Sequence, residues 1–541
     1  MAGTQTVNGL LFALMMQAGY ANLRANAQSI NDLNVFPIPD GDTGDNMLLT
    51  MQGGAGITPN EADGISDTSR RIANGMLLSA RGNSGVILSQ IFEGIAEGLE
   101  GVEEADGKSL IHAFQEGVRR SYSAVMEPTE GTMLTVFRCA TEQAAQYLES
   151  DTETVLKVFI KEAKNTLEKT PDMLPVLKKA GVVDSGGAGI VCIAEGMLSA
   201  MNGEPINAAE AVTPGSAPID IDLFTEDSVL EFGYCTELLI RLQTCKTDVE
   251  AFDVSVLTEC LKDVGNSIAA FKNGSAVKLH IHTMTPDTVL AFCRQYGEFL
   301  TVKIENMSLQ HNNVASEKEE PESERKPFGV VAVASGDGIK EMFTQSGADV
   351  TVDGGQSMNP SAEELMHAFD RVNADTVFVL PNNSNIVLAA KQAAELYTRS
   401  NVRVIESHTI GDGYAALSML SYESGDADII EQELTDAMQG VVTAEISRSV
   451  RDTEGVTAGD YIGFVGKNIL AVNRSRFDAA CATVDSLADK EFDICILIRG
   501  KDASAEETAK IEEYISSKYP RKEVYTIEGM QDIYDYILIL E

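Results

Sequence analysis

The sequence predicts a multidomain protein that joins an all-helical domain, a small α+β domain and a C-terminal α/β domain with a parallel sheet. Its 541 residues are too many for a single hydrophobic core. Two stretches have the composition of linkers: 203–222 holds three prolines, and 314–327 is charged and almost free of apolar residues. We therefore place the domains at 1–204, 223–313 and 328–541.

The first domain is predicted to be helical almost throughout. Apolar residues recur there at spacings of three and four, and Gly or Asp-Gly separates the runs. Short connections between the runs favour an up-and-down bundle. The predicted helices span about 5–30, 43–52, 66–80, 85–99, 108–125, 132–149, 153–169 and 188–202.

The other two domains mix strands with helices. In the middle domain, the alternating run Val277–His282 predicts a strand and Asp287–Tyr296 predicts a helix. In the last domain, the runs GVVAVA, TVFVL and VRVIE each precede a loop rich in Gly or Asn and then a helical pattern. This repetition predicts βαβ units, a parallel sheet and loops that converge at the carboxyl ends of its strands. A strand, a helix and a strand are predicted to close the chain between Phe492 and Leu540.

The charge of the chain bears on its partners. Its 82 acidic and 41 basic residues give a formal charge of −41, which would repel a phosphate backbone over most of the surface. Nucleic acid is therefore not an expected partner. An anionic substrate would need metal ions or backbone amides to offset the negative charge, so a requirement for cations is expected.

Cysteine usage and hydropathy favour a cytoplasmic protein. The eight cysteines are scattered and form no CxxC pair, which does not resemble a disulfide framework. The apolar stretch Leu10–Met16 lacks a basic leader and a cleavage site, and no segment reaches the roughly 18 apolar residues of a membrane span.

A cluster of aspartates predicts a magnesium site. Four aspartates lie within 31–47, yet neither Lys nor Arg occurs between Arg24 and Arg70. Clustered carboxylates repel one another, and a bound divalent ion is the simplest compensation. Asp40 and Asp42 are two residues apart on a turn tightened by glycine, so both can point at one Mg²⁺. The alternative is an ordinary turn with an aspartate as helix cap.

Four predicted helices begin with glycine beside a hydroxyl or amide residue, in the segments 40–46, 81–85, 129–132 and 184–189. One returning helix separates each successive pair, so all four starts are expected at one end of the bundle. Their free N–H groups and positive dipole ends would suit the phosphates of a nucleotide. The alternative for each start is ordinary helix capping. The predicted nucleotide-binding residues are Thr43, Asn46, Gly82, Asn83, Ser84, Gly85, Gly131, Thr132, Met133, Asp184, Gly186 and Gly187.

The chain contains no GxxxxGK[ST] motif. The segment GFVGKN at 463–468 has the wrong spacing and lacks the hydroxyl residue. A P-loop kinase is therefore excluded, and the sequence favours phosphoryl transfer from ATP at a metal site, with Asp40 and Asp42 as its catalytic residues.

The same segments resemble a known family. LNVFPIPDGDTGDNM, ARGNSGVILSQ, EGTMLTV and VDSGGAG are similar to the nucleotide-binding subunit of dihydroxyacetone kinases. With GYCTELLI, VKLHIHT and IENM in the middle and GGQSMNPS and LPNNSNI in the last domain, nearly the whole chain resembles the ATP-binding subunit of bacterial fatty acid kinase.

The resemblance implies a fold and a reaction. It implies an eight-helix antiparallel barrel that binds ATP or ADP through two Mg²⁺ ions, with Asp40 and Asp42 as ligands and Asn34 near a third. In dihydroxyacetone kinases this third ligand is a carboxylate, one residue closer to the pair. The resemblance further implies a homodimer and a separate fatty-acid-binding protein that presents a fatty acid carboxylate. Transfer would give an acyl phosphate for phospholipid synthesis.

The middle domain offers a candidate zinc site. His280 and His282 alternate on one predicted strand, and Cys235 lies on another. Two histidines and a cysteine suit Zn²⁺, with water or His311 in the fourth position. The alternative is a partly buried histidine pair beside an unrelated free cysteine.

The last domain is expected to dock a partner. Asn382, Asn383 and Asn385 and the loops at Gly336 and Gly413 either line a cleft or form ordinary turns. His408 is interpreted as structural. Two other functions stay open for the whole chain: a kinase for dihydroxyacetone or a small polyol, and a regulator that holds ADP and Mg²⁺ as a fixed cofactor.

Overall fold

A computed structural model describes residues 6–34, 41–57, 63–203, 234–249, 252–253, 255–262, 264–273, 275–306, 325–355, 358–453, 455–490 and 492–541. The chain divides into two compact units. One combines Met1–Val212 with Arg325–Glu541, and the other is Thr213–Glu324. In the first unit we call the part up to residue 203 the helical domain and the part from residue 325 the C-terminal domain.

The described residues of the helical domain form the predicted helices and one more. Its helices are α1 (Gly9–Asn31), α2 (Thr43–Ala55), α3 (Ile65–Ser79), α4 (Gly82–Gly98), α5 (Gly107–Ser123), α6 (Met133–Ala144), α7 (Thr152–Met173), α8 (Pro175–Ala180) and α9 (Ser185–Met201). The additional helix is the short α8, which Pro175 starts and Gly181 ends in the left-handed conformation.

Successive long helices pack against each other, and α9 returns to α1. This contact needs glycine, because a Cβ on Gly196 would lie 2.8 Å from the Cα of Gly19. Buried apolar side chains such as Phe12, Met16 and Leu23 of α1 fill the centre. The resemblance implied eight helices, whereas the described part of the helical domain contains nine.

The first sheet of the C-terminal domain confirms the predicted parallel arrangement. Its strands run in the order β6-β5-β7-β8, and all their pairings are parallel. The strands and the helices that connect or follow them are β5 (Lys326–Ala334), α12 (Asp337–Gln345), β6 (Val350–Asp353), α13 (Ala362–Val372), β7 (Ala374–Leu380), α14 (Val387–Leu396), β8 (Asn401–Val404), α15 (Ile410–Ser418) and α16 (Ala427–Ala437).

A second sheet, which the sequence did not predict, completes the C-terminal domain. Its six strands run in the order β11-β10-β9-β14-β12-β13, and only β12 and β13 pair in parallel. The predicted closing elements belong to this sheet rather than to the first. Its elements are β9 (Val442–Arg448), β10 (Tyr461–Val465), β11 (Asn468–Asn473), α17 (Arg476–Leu487), β12 (Ile494–Arg499), α18 (Ala505–Lys518), β13 (Glu523–Glu528) and β14 (Tyr536–Leu540).

The two domains of the first unit share an apolar contact. Ala80 and Val86 of the helical domain are buried in the same cluster as Leu365 of α13 and Ala389 of α14. Burial of apolar surface is the main favourable term in such packing. This packing places the loops at the carboxyl ends of the parallel strands beside the starts of the helices.

The described part of the middle unit is a four-stranded antiparallel sheet with two short helices. The strand order is β2-β3-β1-β4, and one face carries the core residues Leu238, Ile240, Leu279 and Ile281. Its elements are β1 (Tyr234–Leu242), α10 (Ser255–Cys260), β2 (Gly265–Asn273), β3 (Ala276–Thr283), α11 (Pro286–Cys293) and β4 (Gly297–Asn306). This agrees with the predicted strand at 277–282 and helix near 287.

Length and hydropathy together decide whether a helix can cross a membrane. Among the described helices, none combines the two to the degree that a crossing requires.

Candidate functional site

Two adjoining cavities lie where the helical domain meets the C-terminal domain. The first cavity measures about 460 Å³ and the second about 410 Å³. Asn83, Ser84, Ser384 and His408 line both cavities and therefore form a shared wall. Each volume lies within the range of roughly 300–1,000 Å³ that is usual for ligand pockets.

The starts of four helices surround these cavities. Thr43 of α2 lines the first cavity, Ser84 of α4 lines both, and Met133 of α6 and Ser185 of α9 line the second. Each helix start carries backbone N–H groups that have no partner inside the helix, together with the positive end of the helix dipole. Four such ends around one space favour a negatively charged ligand.

Asp42 precedes α2 but does not cap it. Its side chain makes no capping hydrogen bond. The oxygen that serves this helix start comes from Asn31, whose Oδ1 accepts from the N–H of Gly44 at 2.7 Å, while its Nδ2 donates to Asp45 at 2.9 Å. Asp42 lines the first cavity together with Asn34, Thr43 and Asn46.

Polar side chains converge next to Asp42. Asn34 Oδ1 accepts from the hydroxyl of Thr43 at 3.1 Å and from that of Ser185 at 3.4 Å. Asp40, the other predicted metal ligand and catalytic residue, falls within 35–40, outside the described residues. The described part of the chain contains no group of three or more His, Cys, Asp or Glu side chains that could together hold a metal ion.

The donor set still suits magnesium. Mg²⁺ in nucleotide enzymes is typically held by one or two carboxylates and completes its shell with phosphate oxygens and water. Asp42 supplies a carboxylate of this kind, and Asn34, which lines the same cavity, supplies an amide oxygen. Because two hydroxyls already donate to that amide oxygen, a metal at Asn34 would displace at least one of them.

The glycines of α4 allow close approach between elements. Gly82 has a φ of +57°, and a Cβ there would lie 2.5 Å from Nδ2 of Asn46 and 3.3 Å from that of Asn359. A Cβ on Gly85 would collide with the hydroxyl of Thr50 in α2. These two predicted nucleotide-binding residues therefore have packing roles at the wall of the site.

The starts of α6 and α9 are tied together by one carboxylate. Asp184 caps α9 by accepting from the N–H of Gly187 at 2.7 Å, and it also accepts from the backbone N–H of Met133. Its burial raises the pKa of this carboxyl group to about 6. A Cβ on Gly186 would lie 3.1 Å from Met133, so glycine keeps the two helices close.

Two other predicted residues take local roles near the second cavity. Gly131 has a φ of +85° and packs against Met173 and Leu174. Thr132 lines the second cavity, and its hydroxyl donates to the carbonyl of Thr129 at 2.8 Å rather than capping α6.

The C-terminal domain provides the opposite wall of the first cavity. The loops after β5, β6, β7 and β8 contribute Ser335, Gly354, Asn382 to Asn385, and His408. This is the carboxyl edge of a parallel sheet, where ligands bind in open α/β folds. His408, interpreted from the sequence as structural, lies in the wall of both cavities, and its Nδ1 is 3.4 Å from the hydroxyl of Ser384.

Residues of the second sheet also reach the first cavity. Glu445 of β9, Lys467 of the β10–β11 turn and Gln531 line it, and the sequence predicted none of them. Burial, and secondarily the charge of Asp412, raise the pKa of the Glu445 carboxyl to about 8, so this side chain is mainly neutral at pH 7. Gln531 and Asn382 each have a buried side-chain oxygen without a hydrogen-bond donor among the described atoms.

Side-chain amides join the two domains. Asn359 Nδ2 donates to Asp42 Oδ2 at 2.6 Å, and Asn83 Nδ2 donates to Asn385 Oδ1 at 3.3 Å. Gln392 is buried in the interface, where it donates to the carbonyl of Leu77 at 2.5 Å. Its Oε1 accepts from Gln90 and Ser89 at 3.0 and 3.3 Å.

Comparison with known proteins matches every domain. The C-terminal domain of FakA-like fatty acid kinase proteins matches residues 329–541, their middle domain matches 231–314, and a DAK2 domain matches 37–199. Protein YloV of Bacillus subtilis is 38% identical over 558 residues, which covers 99% of this chain and all of the relative. A protein of Staphylococcus haemolyticus is 36% identical and covers 99% of both chains.

The chain belongs to the FakA-like family of fatty acid kinase proteins.

Solved structures resemble part of this FakA-like chain. A fatty-acid-binding DegV family protein from Thermus thermophilus covers 40% of the chain and 99% of its own length, at 12% identity and a TM-score of 0.32. The fatty acid kinase B3 protein of Streptococcus pneumoniae, loaded with linoleic acid, also covers 40%, at 11% identity and a TM-score of 0.30. At scores this low, the likeness decides nothing about the chemistry of this chain.

Two of the residues that contact the helical domain lie in segments that carried the family resemblance. Asn359 belongs to the segment GGQSMNPS and Asn385 to LPNNSNI, both of which carried the resemblance. Neither segment shows by itself that its amides reach the helical domain, because the contacts span about 300 positions of sequence. Gly336 and Gly413 serve packing instead, against Gln531 and Asn382 respectively.

The predicted zinc ligands are described only through their backbones. Strand pairing places Cys235 opposite His282, and Glu237 opposite His280. The side chains of Cys235, His280 and His282 lie outside what the structure describes, as does His311. Zinc binding in this FakA-like protein therefore stays a prediction.

Proposed function

We propose that this chain is the ATP-dependent subunit of a fatty acid kinase. In this proposal it transfers the γ-phosphoryl group of ATP to the carboxylate of a fatty acid presented by a separate fatty-acid-binding protein, and the acyl phosphate formed is used for phospholipid synthesis. The observation that carries the proposal is the meeting of four helix starts around two joined cavities, with Asp42 at the wall. Family membership supports the reaction class.

The two cavities suit different parts of a nucleotide. The second cavity includes apolar side chains such as Ile87, Met126 and Leu134, which favour a purine base. The shared wall and the first cavity carry hydroxyl, amide and carboxylate groups, which favour phosphates and their metal ions. We therefore assign the base to the second cavity and the terminal phosphates to the junction.

The residues near α2 would hold two Mg²⁺ ions. Asp40 and Asp42 are the proposed ligands, and Asn34, which lines the same cavity as Asp42, is the candidate third. When bound, the ions neutralise the charge that spreads over the transferred phosphoryl group. The helix starts add backbone N–H donors, and Ser84 and Thr43 add hydroxyls that orient the phosphate chain.

The acceptor needs no general base in this chain. A fatty acid carboxylate is already ionised at neutral pH, so one of its oxygens attacks the γ-phosphorus directly while the bond to the bridging oxygen breaks and ADP leaves. The work left to the protein is positioning and charge stabilisation. Lys467, in the wall of the first cavity, places a positive charge where an anionic acceptor would approach.

The proposal also includes two structural features. A zinc ion held by Cys235, His280 and His282 would stabilise the middle domain, and a homodimer would be the assembled form. Zinc analysis of the purified protein tests the first, and the mass in solution tests the second. Finding no zinc together with an unchanged stability of Cys235→Ser would remove the zinc site.

Trapping the product tests the reaction. The full chain is mixed with ATP, Mg²⁺, hydroxylamine and a fatty-acid-loaded binding protein, and acyl hydroxamate is measured. Hydroxamate that depends on both ATP and the loaded protein is the expected result. ADP formed with dihydroxyacetone or a polyol, without hydroxamate, would support a small-molecule kinase. Tight ADP binding without turnover would support a regulator.

A further inference from the structure

A residue of the C-terminal domain touches the proposed metal ligand of the helical domain. Asn359 lies between β6 and α13, and the residue is only 3% exposed. Its Nδ2 is 2.6 Å from Oδ2 of Asp42 and 3.4 Å from Oδ1 of Asn46. A hydrogen bond to a charged carboxylate is among the stronger kinds, so this contact constrains the carboxylate plane.

The position of Asn359 is itself fixed. Its backbone carbonyl accepts from Nη1 of Arg81 at 3.1 Å, and Arg81 pairs with Glu364 of α13 at 3.2 Å. Arg81 directly precedes α4, one of the four helix starts. The amide is therefore held against Asp42 by a second cross-domain contact.

The orientation of the Asn359 amide follows from its neighbours. Turning the amide over would place its oxygen against the Asp42 carboxylate, which is unfavourable, so the nitrogen faces Asp42. The oxygen, Asn359 Oδ1, is buried and has no donor among the described protein atoms.

The side chain of Asp42 does not cap the helix that it precedes. As the N-cap of α2, this residue would ordinarily point its carboxylate at the first N–H groups of the helix. Asn31 takes that role, and Asp42 makes no capping bond. The amide of Asn359 therefore contacts a carboxylate that does not cap its own helix.

We propose that Asn359 is a positioning residue of the magnesium site, so that the site is completed by the C-terminal domain. Its amide fixes the carboxylate of Asp42 in the orientation that binds the metal. Partners that orient metal-ligating carboxylates typically change metal affinity or activity by about 10–100-fold when removed. The inference rests on the proposed function, because it takes Asp42 as a metal ligand.

A magnesium titration tests this role on the full chain. ADP binding is measured by calorimetry at increasing Mg²⁺, and the Mg²⁺ concentration at half-maximal binding is compared. Asn359→Ala is expected to raise that concentration by about 10-fold or more. Gln392→Ala is the matched control, since it also removes a buried cross-domain amide but does not contact Asp42. It is expected to leave the concentration within about twofold.

A double variant separates positioning from general docking. If Asn359 acts through Asp42, then Asn359→Ala should add little to the shift already caused by Asp42→Ala. Equal shifts for Asn359→Ala and Gln392→Ala, or no shift for Asn359→Ala, would overturn the inference. If Asn359→Ala does not unfold cooperatively, Asn359→Ser is used in its place. The serine side chain is one atom shorter than the path to the asparagine amide nitrogen, so its hydroxyl does not reach Asp42.

The wild-type protein distinguishes failure of the inference from failure of the proposed function. Wild-type ADP binding that does not depend on Mg²⁺ would remove the proposed metal site and the kinase with it. Wild-type binding that depends on Mg²⁺ and is unchanged in Asn359→Ala would remove only the role of Asn359.

Discussion

The two walls of the first cavity are built in different ways. The wall from the helical domain consists of helix starts, hydroxyls and the carboxylate of Asp42, all within short segments of sequence. The wall from the C-terminal domain consists of loops from two sheets, and its contacts to the helical wall are made by amides such as Asn359 and Asn385. One wall of a site can therefore be predicted from the sequence, while the other wall depends on contacts between residues that are far apart in the sequence.

The largest effect is expected at the carboxylate of the helical wall. Asp42→Ala should lower acyl phosphate formation at least about a hundredfold, because a metal ligand is lost. Acyl hydroxamate formed per unit time measures this. Asp45→Ala is the control, since Asp45 lies on the same helix start but accepts from Asn31, and it should lose less than about tenfold. Similar losses in both variants would contradict a special role for Asp42.

The contact between the walls is tested at Gln392. Gln392→Leu leaves the carbonyl of Leu77 and the side chains of Ser89 and Gln90 without this partner. We expect the free energy of unfolding of the first unit to fall by about 2 kcal/mol, the usual size for unsatisfied buried polar groups. Denaturant unfolding measures it. The exposed Gln345→Leu should change it by less than about 0.5 kcal/mol, and a similar loss there would contradict the interface role.

Gly82 lies where the walls meet. Gly82→Ala introduces a Cβ at a φ of +57°, which costs about 1 kcal/mol, and that Cβ would crowd Asn46 and Asn359. We expect a loss of stability with weaker Mg²⁺-ADP binding. Gly181→Ala has a φ of +68° and no atom within 4 Å of the added Cβ. It should lose only the backbone cost of about 1 kcal/mol and keep nucleotide binding, as calorimetry would show.

Glu445 tests the chemistry of the C-terminal wall. Its folded pKa of about 8 lies above the ordinary value of 4.5. The folded state therefore holds a proton that the unfolded state releases, and stability falls as pH rises from 4.5 to 8. Glu445→Gln should remove that loss, so its stability advantage over wild type should be smallest near pH 5 and largest above pH 8. Thermal unfolding across this range measures it.

A charge control belongs with that experiment. Glu433 is exposed on α16, so Glu433→Gln removes one negative charge without changing a buried group. If Glu445→Gln and Glu433→Gln gave the same dependence of stability on pH, burial of Glu445 could not be the cause of that dependence.

Much of the helical domain could be predicted from the sequence. The helix predicted at 153–169 became Thr152–Met173, and that at 43–52 became Thr43–Ala55. A three- to four-residue apolar period identifies a helix with one buried face. The helix Pro175–Ala180 was missed because six residues are too few to show a period.

The C-terminal domain was predicted only in part. Its parallel strands are runs of buried apolar residues followed by loops, which is a local signal. The antiparallel pairing of Val442–Arg448 with Tyr536–Leu540 joins segments about 90 positions apart, and nothing within either segment specifies the other. The second sheet, and the cavity residues Glu445 and Gln531 that it positions, were therefore not predicted.

The sequence by itself determined most helices of the helical domain, the glycine and hydroxyl helix starts, the aspartate cluster and the family. Each of these features depends on a short segment of sequence or on the order of such segments along the chain. Only the tertiary structure decided that Asn359 meets Asp42 and that the loops of a parallel sheet close the cavity. The physical reason is that such contacts depend on how two apolar faces pack. Packing brings together side chains that share no local pattern.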